Sequence, residues 1–471
     1  MKNFTDYIGL FADHYEFTMA QGYFLDGRKD HPACFDYFFR KNPYNSGYTV
    51  FTGLYDMLEM LQQFRFNEQS LNHLNKNGFD SAFIDYLKEF SFRGNIIAPK
   101  EGEIIFENAP VIRVEGNIIE TQLIETLLLN VINFQSLIAT KASRIRQSAG
   151  NRIIIDFGLR RAQGLSAIHA SKAAVIGGFD ATSNEYASLA FGIKASGTQA
   201  HSWIQSYPDE LTAFRKYAKA YPKNCVFLVD TYDTLNSGIP NTIIAAREME
   251  EAGEKLFAVR LDSGDLAYLS KRTRKLLDDF NLHYVKIFAS NQLNEYLIKS
   301  LIEQGAPIDG FGVGTELITG QPDAALDGVY KLSMIDNEPS FKLSENLEKL
   351  TLPGVKKVYR YLNGDGKFYA DGILLQEEEN IDMIYHPTHS HKSAKVKGMK
   401  KEELLEVAME NGEIRIENKS VQEISDYRRS RLSLLPNEHK RFENPHTYKV
   451  GISKELANLR NNLIEKLIVS R

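Results

Sequence analysis

Tryptophan occurs once and cysteine twice in the 471 residues. Neither Cys34 nor Cys225 has a C-x-x-C partner, which excludes a disulfide framework and a thiolate zinc site. A basic excess is missing too. The 56 lysines and arginines face 61 aspartates and glutamates, a net charge of −5, so no nucleic-acid or anionic-membrane partner is expected. The most apolar stretch, residues 123–134, is interrupted by Glu125, Thr126, Asn130 and Asn133 and cannot span a bilayer. The opening Met1-Lys2-Asn3-Phe4-Thr5-Asp6 carries no apolar signal core. Low-complexity linkers and fixed-period repeats are absent as well. A reducing, cytoplasmic setting is the expectation.

What is present is an ordinary globular composition, 43% hydrophobic and 25% charged, with ample material for a large core. The first ninety or so residues read as mostly helical, with Asp13 placed to cap a helix through Tyr15, Phe17, Met19 and Tyr23. Short strand-like runs follow at 96–99, 103–106 and 110–115, and residues 121–149 return to helical periodicity. From about residue 150, apolar runs at 152–156, 174–178, 194–196, 226–229, 256–259, 285–289 and 308–311 each end in polar or glycine residues. Helical stretches at 209–220, 241–254, 265–280 and 292–304 lie between them. This alternation predicts parallel strands with right-handed crossovers, and about seven of them favour a barrel whose polar strand ends share one mouth. The domain boundaries expected are 1–149, 150–345 and 346–471, with a helix-rich tail from 398.

The chemistry-bearing residues collect at those strand ends. Gly310-Phe311-Gly312-Val313-Gly314-Thr315 offers bare backbone and a hydroxyl to a phosphate, though a glycine-rich turn would look the same. Asp230 and Asp233, with Arg260, Asp262 and Asp265, form a carboxylate-rich set that suits Mg²⁺ carried by a polyphosphate. Helix capping is the alternative for some of them. In Asp156-Phe157-Gly158-Leu159-Arg160-Arg161 an arginine fork suits a planar carboxylate and an aromatic face suits a flat ring; a salt-bridged arginine beside a core phenylalanine is the plainer reading. His201 can serve as nucleophile, general base or structural residue. His386, His389 and His391 lie in a lysine-rich stretch without helical ligand spacing, and the charge runs 395–401 and 428–431 read as solvated faces.

Taken in order, F-F-R-K-N-P at 38–43, D-F-G-L-R-R-A-Q-G at 156–164, G-G-F-D-A-T-S-N at 177–184, S-G-T-Q-A-H-S at 196–202, L-V-D-T-Y-D-T at 228–234, R-L-D-S-G-D at 260–265 and G-V-G-T at 312–315 resemble nicotinate phosphoribosyltransferases. The His-rich stretch is not part of that pattern. The resemblance implies an α/β fold: an irregular α/β barrel with a second α+β domain built from N-terminal and C-terminal segments. It implies nicotinate mononucleotide and pyrophosphate made from nicotinate and phosphoribosyl pyrophosphate, in NAD salvage. ATP hydrolysis would be coupled through a phosphohistidine at His201, with Mg²⁺ as cofactor and a homodimer with shared sites. Arg160 would hold the nicotinate carboxylate, Phe157 would stack on the ring beside Asp180, and Tyr15 would cover its other face from the partner subunit. Thr198, Asp230, Arg260, Asp262 and Asp265 would surround ribose, pyrophosphate and metal-bound water, with Ser290 and Asn291 adjacent. Gly312, Gly314 and Thr315 would take the 5′-phosphate, and Arg40 and Lys41 would pair with phosphates. A nicotinamide-specific sister enzyme and a non-catalytic sugar-phosphate sensor are the competing readings, and the Arg160-Arg161 pair favours nicotinate.

Overall fold

The computed structural model describes residues 4–342, 351–389 and 391–469. The boundary expected at 345 lies outside the described residues. The chain divides into two compact units. One is Ile138–Ala324 with Ser420–Ser425; the other is Met1–Leu137, Ala325–Lys419 and Asp426–Arg471.

The first of these is built on a six-stranded parallel sheet. Its spatial order is Ala181–Thr182, Ile153–Asp156, Gly310–Val313, Lys286–Ser290, Ala258–Leu261, Val226–Leu228. Side by side, Ile155 pairs with Gly312, Ala289 with Phe311 and with Leu261, and Leu228 with Arg260. β-Branched and aromatic residues fill these runs because both faces are buried. Polar residues after the strands then start the returning helices. Asn184 accepts from Ala187 N, Asp265 from Tyr268 N, and Asn294 from Tyr296 N and Leu297 N. The sheet does not close into a continuous ladder, although a parallel bridge from Thr182 to Ala195 extends one edge. The architecture is an irregular α/β arrangement with every strand pointing its C-terminal end the same way.

Two runs differ from the expectation. Residues 174–176 end the helix Ser166–Ile176 and 177–178 form the turn after it, and the strand is the short Ala181–Thr182 that follows. Residues 194–196 contribute only the bridge at Ala195.

The second unit holds a seven-stranded sheet ordered Glu338–Pro339, Gly328–Ile335, Pro32–Phe39, Ile112–Asn117, Asn95–Ala98, Glu406–Glu410, Glu413–Ile414. The N-terminal part is mostly helical, as expected, but it also contributes Pro32–Phe39, a central strand antiparallel to both neighbours that the sequence did not mark. Helices His14–Leu25, Leu54–Gln62, Glu68–Lys76 and Ser81–Lys88 belong to the same unit, and its core gathers many of the phenylalanines, among them Phe17, Phe64, Phe66, Phe79, Phe83 and Phe90. Asp13 stands at the N-cap of His14–Leu25, but its side chain makes no capping bond. The C-terminal region is mixed, with strands Lys400–Glu403 and Lys449–Ile452 beside helices Val421–Leu434 and Lys454–Val469. Arg428 and Arg431 are buried, against the expectation of a solvated face. Arg431 bonds Glu103 and Glu402, and Glu103 also meets Arg360, which grips Asp371 with two nitrogens at 2.9 and 2.8 Å. Buried arginines of this kind persist because each charge is matched.

Candidate active site

The C-terminal strand ends of the parallel sheet bring together most of the expected residues. Arg260 is the next-to-last residue of the strand Ala258–Leu261 and is partly buried. Its Nη1 donates to Thr198 Oγ1, its Nη2 donates to the Gln199 carbonyl at 3.1 Å, and its Cζ lies 5.9 Å from the centre of the Phe157 ring. Burial lowers its pKa, and the carboxylates of Asp262 and Asp230 oppose that shift. Its Nε is buried without a partner, so the group keeps a donor in reserve.

Asp230 and Asp262 are stitched to one another. Asp230 Oδ2 accepts from Asp262 N at 2.8 Å and from Ser263 Oγ at 2.6 Å, while its Oδ1 is buried with no partner. Ser290 Oγ donates to Asp262 Oδ1. The other oxygen of Asp262 sits 3.6 Å from His201 Nε2. On the far side of that imidazole, Nδ1 meets Thr231 Oγ1 at 3.1 Å. His201 is thus hydrogen-bonded through Nδ1, while its Nε2 faces the Asp262 carboxylate without a direct hydrogen bond. Nothing in the sequence marked Thr231 or Gln199 for a role beyond their place inside quoted motifs.

Glycine supplies room for closely packed neighbours. A Cβ on Gly312 would lie 2.3 Å from the Phe157 ring, and one on Gly158 would lie 2.6 Å from Ile318 Cβ. The Phe157 ring therefore rests on the Gly312 backbone. Gly314 precedes the short helix Thr315–Ile318, leaving Thr315 exposed at its start. Asn291 adopts φ 86°, a left-handed value in the turn after Ser290. Arg160 is exposed in the 3-10 turn Leu159–Arg161.

Asp180 stands apart from this group. It precedes the strand Ala181–Thr182, where its Oδ2 accepts from Ile154 N at 2.8 Å and from Arg146 Nη2 at 2.6 Å. That is the N-terminal end of the sheet, and the ion pair serves to anchor the strand start. Asp265 caps its helix through Oδ1 and is exposed. Tyr15, Arg40 and Lys41 belong to the other unit. There Tyr15 hydrogen-bonds Glu125, and Arg40 lies 5.8 Å from the Phe38 ring with a buried, unpartnered Nε.

The donor set bears on magnesium. Among the described residues no group of three or more His, Cys, Asp or Glu side chains could hold a metal, the His386–His389 cluster included. One spare carboxylate oxygen, on Asp230, beside a second carboxylate suits an ion held mainly by substrate phosphates and water. Among the described residues no helix is long and apolar enough to cross a membrane.

Comparison with known proteins places the chain in a family. Residues 10–133 match the profile of the nicotinate phosphoribosyltransferase N-terminal domain, 153–352 that of the nicotinate phosphoribosyltransferase family, and 355–460 that of its C-terminal domain. The nicotinate phosphoribosyltransferase of Bacillus subtilis is 44% identical over 464 residues, covering 96% of this chain and 94% of that one. The crystal structure of human nicotinic acid phosphoribosyltransferase superposes with a TM-score of 0.85 at 29% identity, over 96% of this chain and 99% of the other. A nicotinate-nucleotide pyrophosphorylase from Pyrococcus furiosus shares the fold, with a TM-score of 0.73 at 24% identity over 92% and 97%. Matched along nearly its whole length in sequence and in fold, the chain belongs to the nicotinate phosphoribosyltransferase family.

Proposed function

We propose that the protein joins nicotinate to the phosphoribosyl group of phosphoribosyl pyrophosphate, releasing pyrophosphate, and couples this to ATP hydrolysis through phosphorylation of His201. One observation carries the reading: a histidine hydrogen-bonded to Thr231 faces Asp262 at the strand ends, within a carboxylate and guanidinium array, in a member of this family. Phe157 offers its face to the pyridine ring and Arg160 its fork to the carboxylate. The ring nitrogen attacks C1 of the ribose as the bond to pyrophosphate breaks, and it has no proton to lose, so no general base is required. Arg260 and the backbone at Gly312 and Gly314 then serve to position and neutralise phosphate oxygens. When bound, magnesium supplies further charge neutralisation on the pyrophosphate, with Asp230 and Asp262 holding its water shell. Thr198, Asp265, Ser290, Asn291 and Thr315 line the ribose-phosphate track, and Arg40 and Lys41 add cationic charge. Tyr15 covers the ring from the partner subunit of a cytoplasmic homodimer.

The deciding measurement is pyrophosphate release with nicotinate or nicotinamide, each with and without ATP. Nicotinate turnover stimulated by ATP is expected. A preference for nicotinamide would reassign the substrate, and no release with either pyridine would point to a sensor.

A further inference from the structure

Asp156 ends the strand Ile153–Asp156, directly before Phe157, and the chemistry above gives it nothing to do. Its carboxylate is wholly buried. Oδ1 accepts from Gly158 N at 2.8 Å, and Oδ2 accepts from Ser171 Oγ at 2.8 Å and Thr182 Oγ1 at 2.7 Å. Asn184 settles the direction of the last two bonds. Its backbone N–H donates to Thr182 Oγ1 at 3.1 Å and its Nδ2 donates to Ser171 Oγ at 3.2 Å, so each hydroxyl is free to turn its own proton toward Asp156. Thr182 Oγ1 also lies 3.3 Å from Ser171 Oγ, but its contact with Asp156 is much the shorter. Three donors therefore converge on one group, and only an acceptor at both oxygens satisfies them. Burial pushes the pKa of Asp156 up, and these three bonds act against that shift.

The turn that follows has no slack. Arg161 N donates to the Gly158 carbonyl at 2.7 Å, and Ser183 N donates to the Asp156 carbonyl at 2.8 Å. Ile318 closes the space beside Gly158, and Gly312 lies flat under the Phe157 ring. Gly158 thus joins Phe157, which precedes it, to the 3-10 turn Leu159–Arg161, which carries Arg160.

We propose that Asp156 is a positioning residue for the pyridine substrate, fixing Phe157 and Arg160 by holding Gly158 N. This rests on the reading that Phe157 and Arg160 face nicotinate. Asparagine at 156 would aim an N–H at a donor and loosen the turn. The test is steady-state kinetics of Asp156→Asn and Ser171→Ala with nicotinate and phosphoribosyl pyrophosphate varied separately. The KM for nicotinate should rise about tenfold in Asp156→Asn and about threefold in Ser171→Ala, equivalent to about 1.4 and about 0.6 kcal/mol. The KM for phosphoribosyl pyrophosphate and kcat should stay within about twofold. Equal rises in both KM values, loss of kcat alone, or an unchanged nicotinate KM would overturn the proposal. Should Asp156→Asn fail to fold, Ser171→Ala decides by the same split. Wild-type protein inert toward both pyridines would overturn the functional reading as well, whereas an active wild type without the split overturns this proposal alone.

Discussion

His201 faces Thr231 with Nδ1 and Asp262 with Nε2, so its ring cannot turn without breaking one contact. Replacing His201 with alanine should abolish ATP hydrolysis while some ATP-independent transfer persists, read by parallel phosphate and pyrophosphate release. Unchanged ATP hydrolysis would leave the histidine a structural role only. Glu16 makes a different prediction, in the other unit. Its carboxyl is pushed up to about 7, chiefly by burial, with the charge of Glu125 adding to the shift and the bond from Thr126 opposing it. The folded chain thus binds this proton more tightly than the unfolded chain, whose glutamate titrates near about 4.3. The associated stability is fully present below that value and is lost as pH climbs through about 7. Glu16→Gln removes the dependence, so its unfolding midpoint relative to wild type should improve between roughly pH 5 and pH 8. A difference independent of pH would mean Glu16 stays ionised throughout. At this scale the sequence made the gathering of His201, Arg260, Asp230 and Asp262 at the strand ends legible, because each stands at or just after the close of a short apolar run. Asp180 was misread because a strand two residues long puts its two ends almost within one motif.

Among the elements, the antiparallel strands Lys356–Leu362 and Phe368–Leu375 carry the most concentrated buried charge. Arg360 and Asp371 face each other in register, and the guanidinium lies 4.3 Å from the Phe368 ring and 5.1 Å from the Phe106 ring. Arg360→Met should cost about 3–5 kcal/mol, read from denaturant midpoints, since it strands Asp371 and weakens the hold on Glu103. Adding Asp371→Leu should recover much of that loss, and no recovery would show that packing of the guanidinium, not its charge, was the larger part. The sequence left this pair invisible because its members are eleven residues apart on different strands, without a local pattern. It also hid Pro32–Phe39, whose run of buried residues lacks the alternation of a half-exposed strand. The opposite confusion befell residues 174–178, where a buried alanine-rich helix end imitates a buried strand. The parallel strands were legible because each is a short apolar run closed by a polar helix start.

For the molecule as a whole, the net charge of −5 says nothing of the local balance at the strand ends, where the Arg260 guanidinium faces Asp230 and Asp262. If Tyr15 reaches the ring of the partner subunit, mixing Tyr15→Ala with Arg160→Ala should restore activity at low nicotinate. Random reassortment places one intact site in half of the dimers, so recovery should approach about a quarter of wild type. Activity equal to the mean of the two variants would place Tyr15 in its own subunit's site. The interleaved seven-stranded sheet has a further consequence, in time. Pro32–Phe39 must wait for Gly328–Ile335, its neighbour about 290 residues downstream. Ribosomal synthesis makes that interval about 15 to 60 s. The parallel sheet, whose strands all lie between residues 153 and 313, can assemble within it. Phe35, Tyr37 and Phe39 spend that time on an open strand edge, so a nascent chain stalled near residue 320 should engage chaperones through its oldest segment rather than its newest.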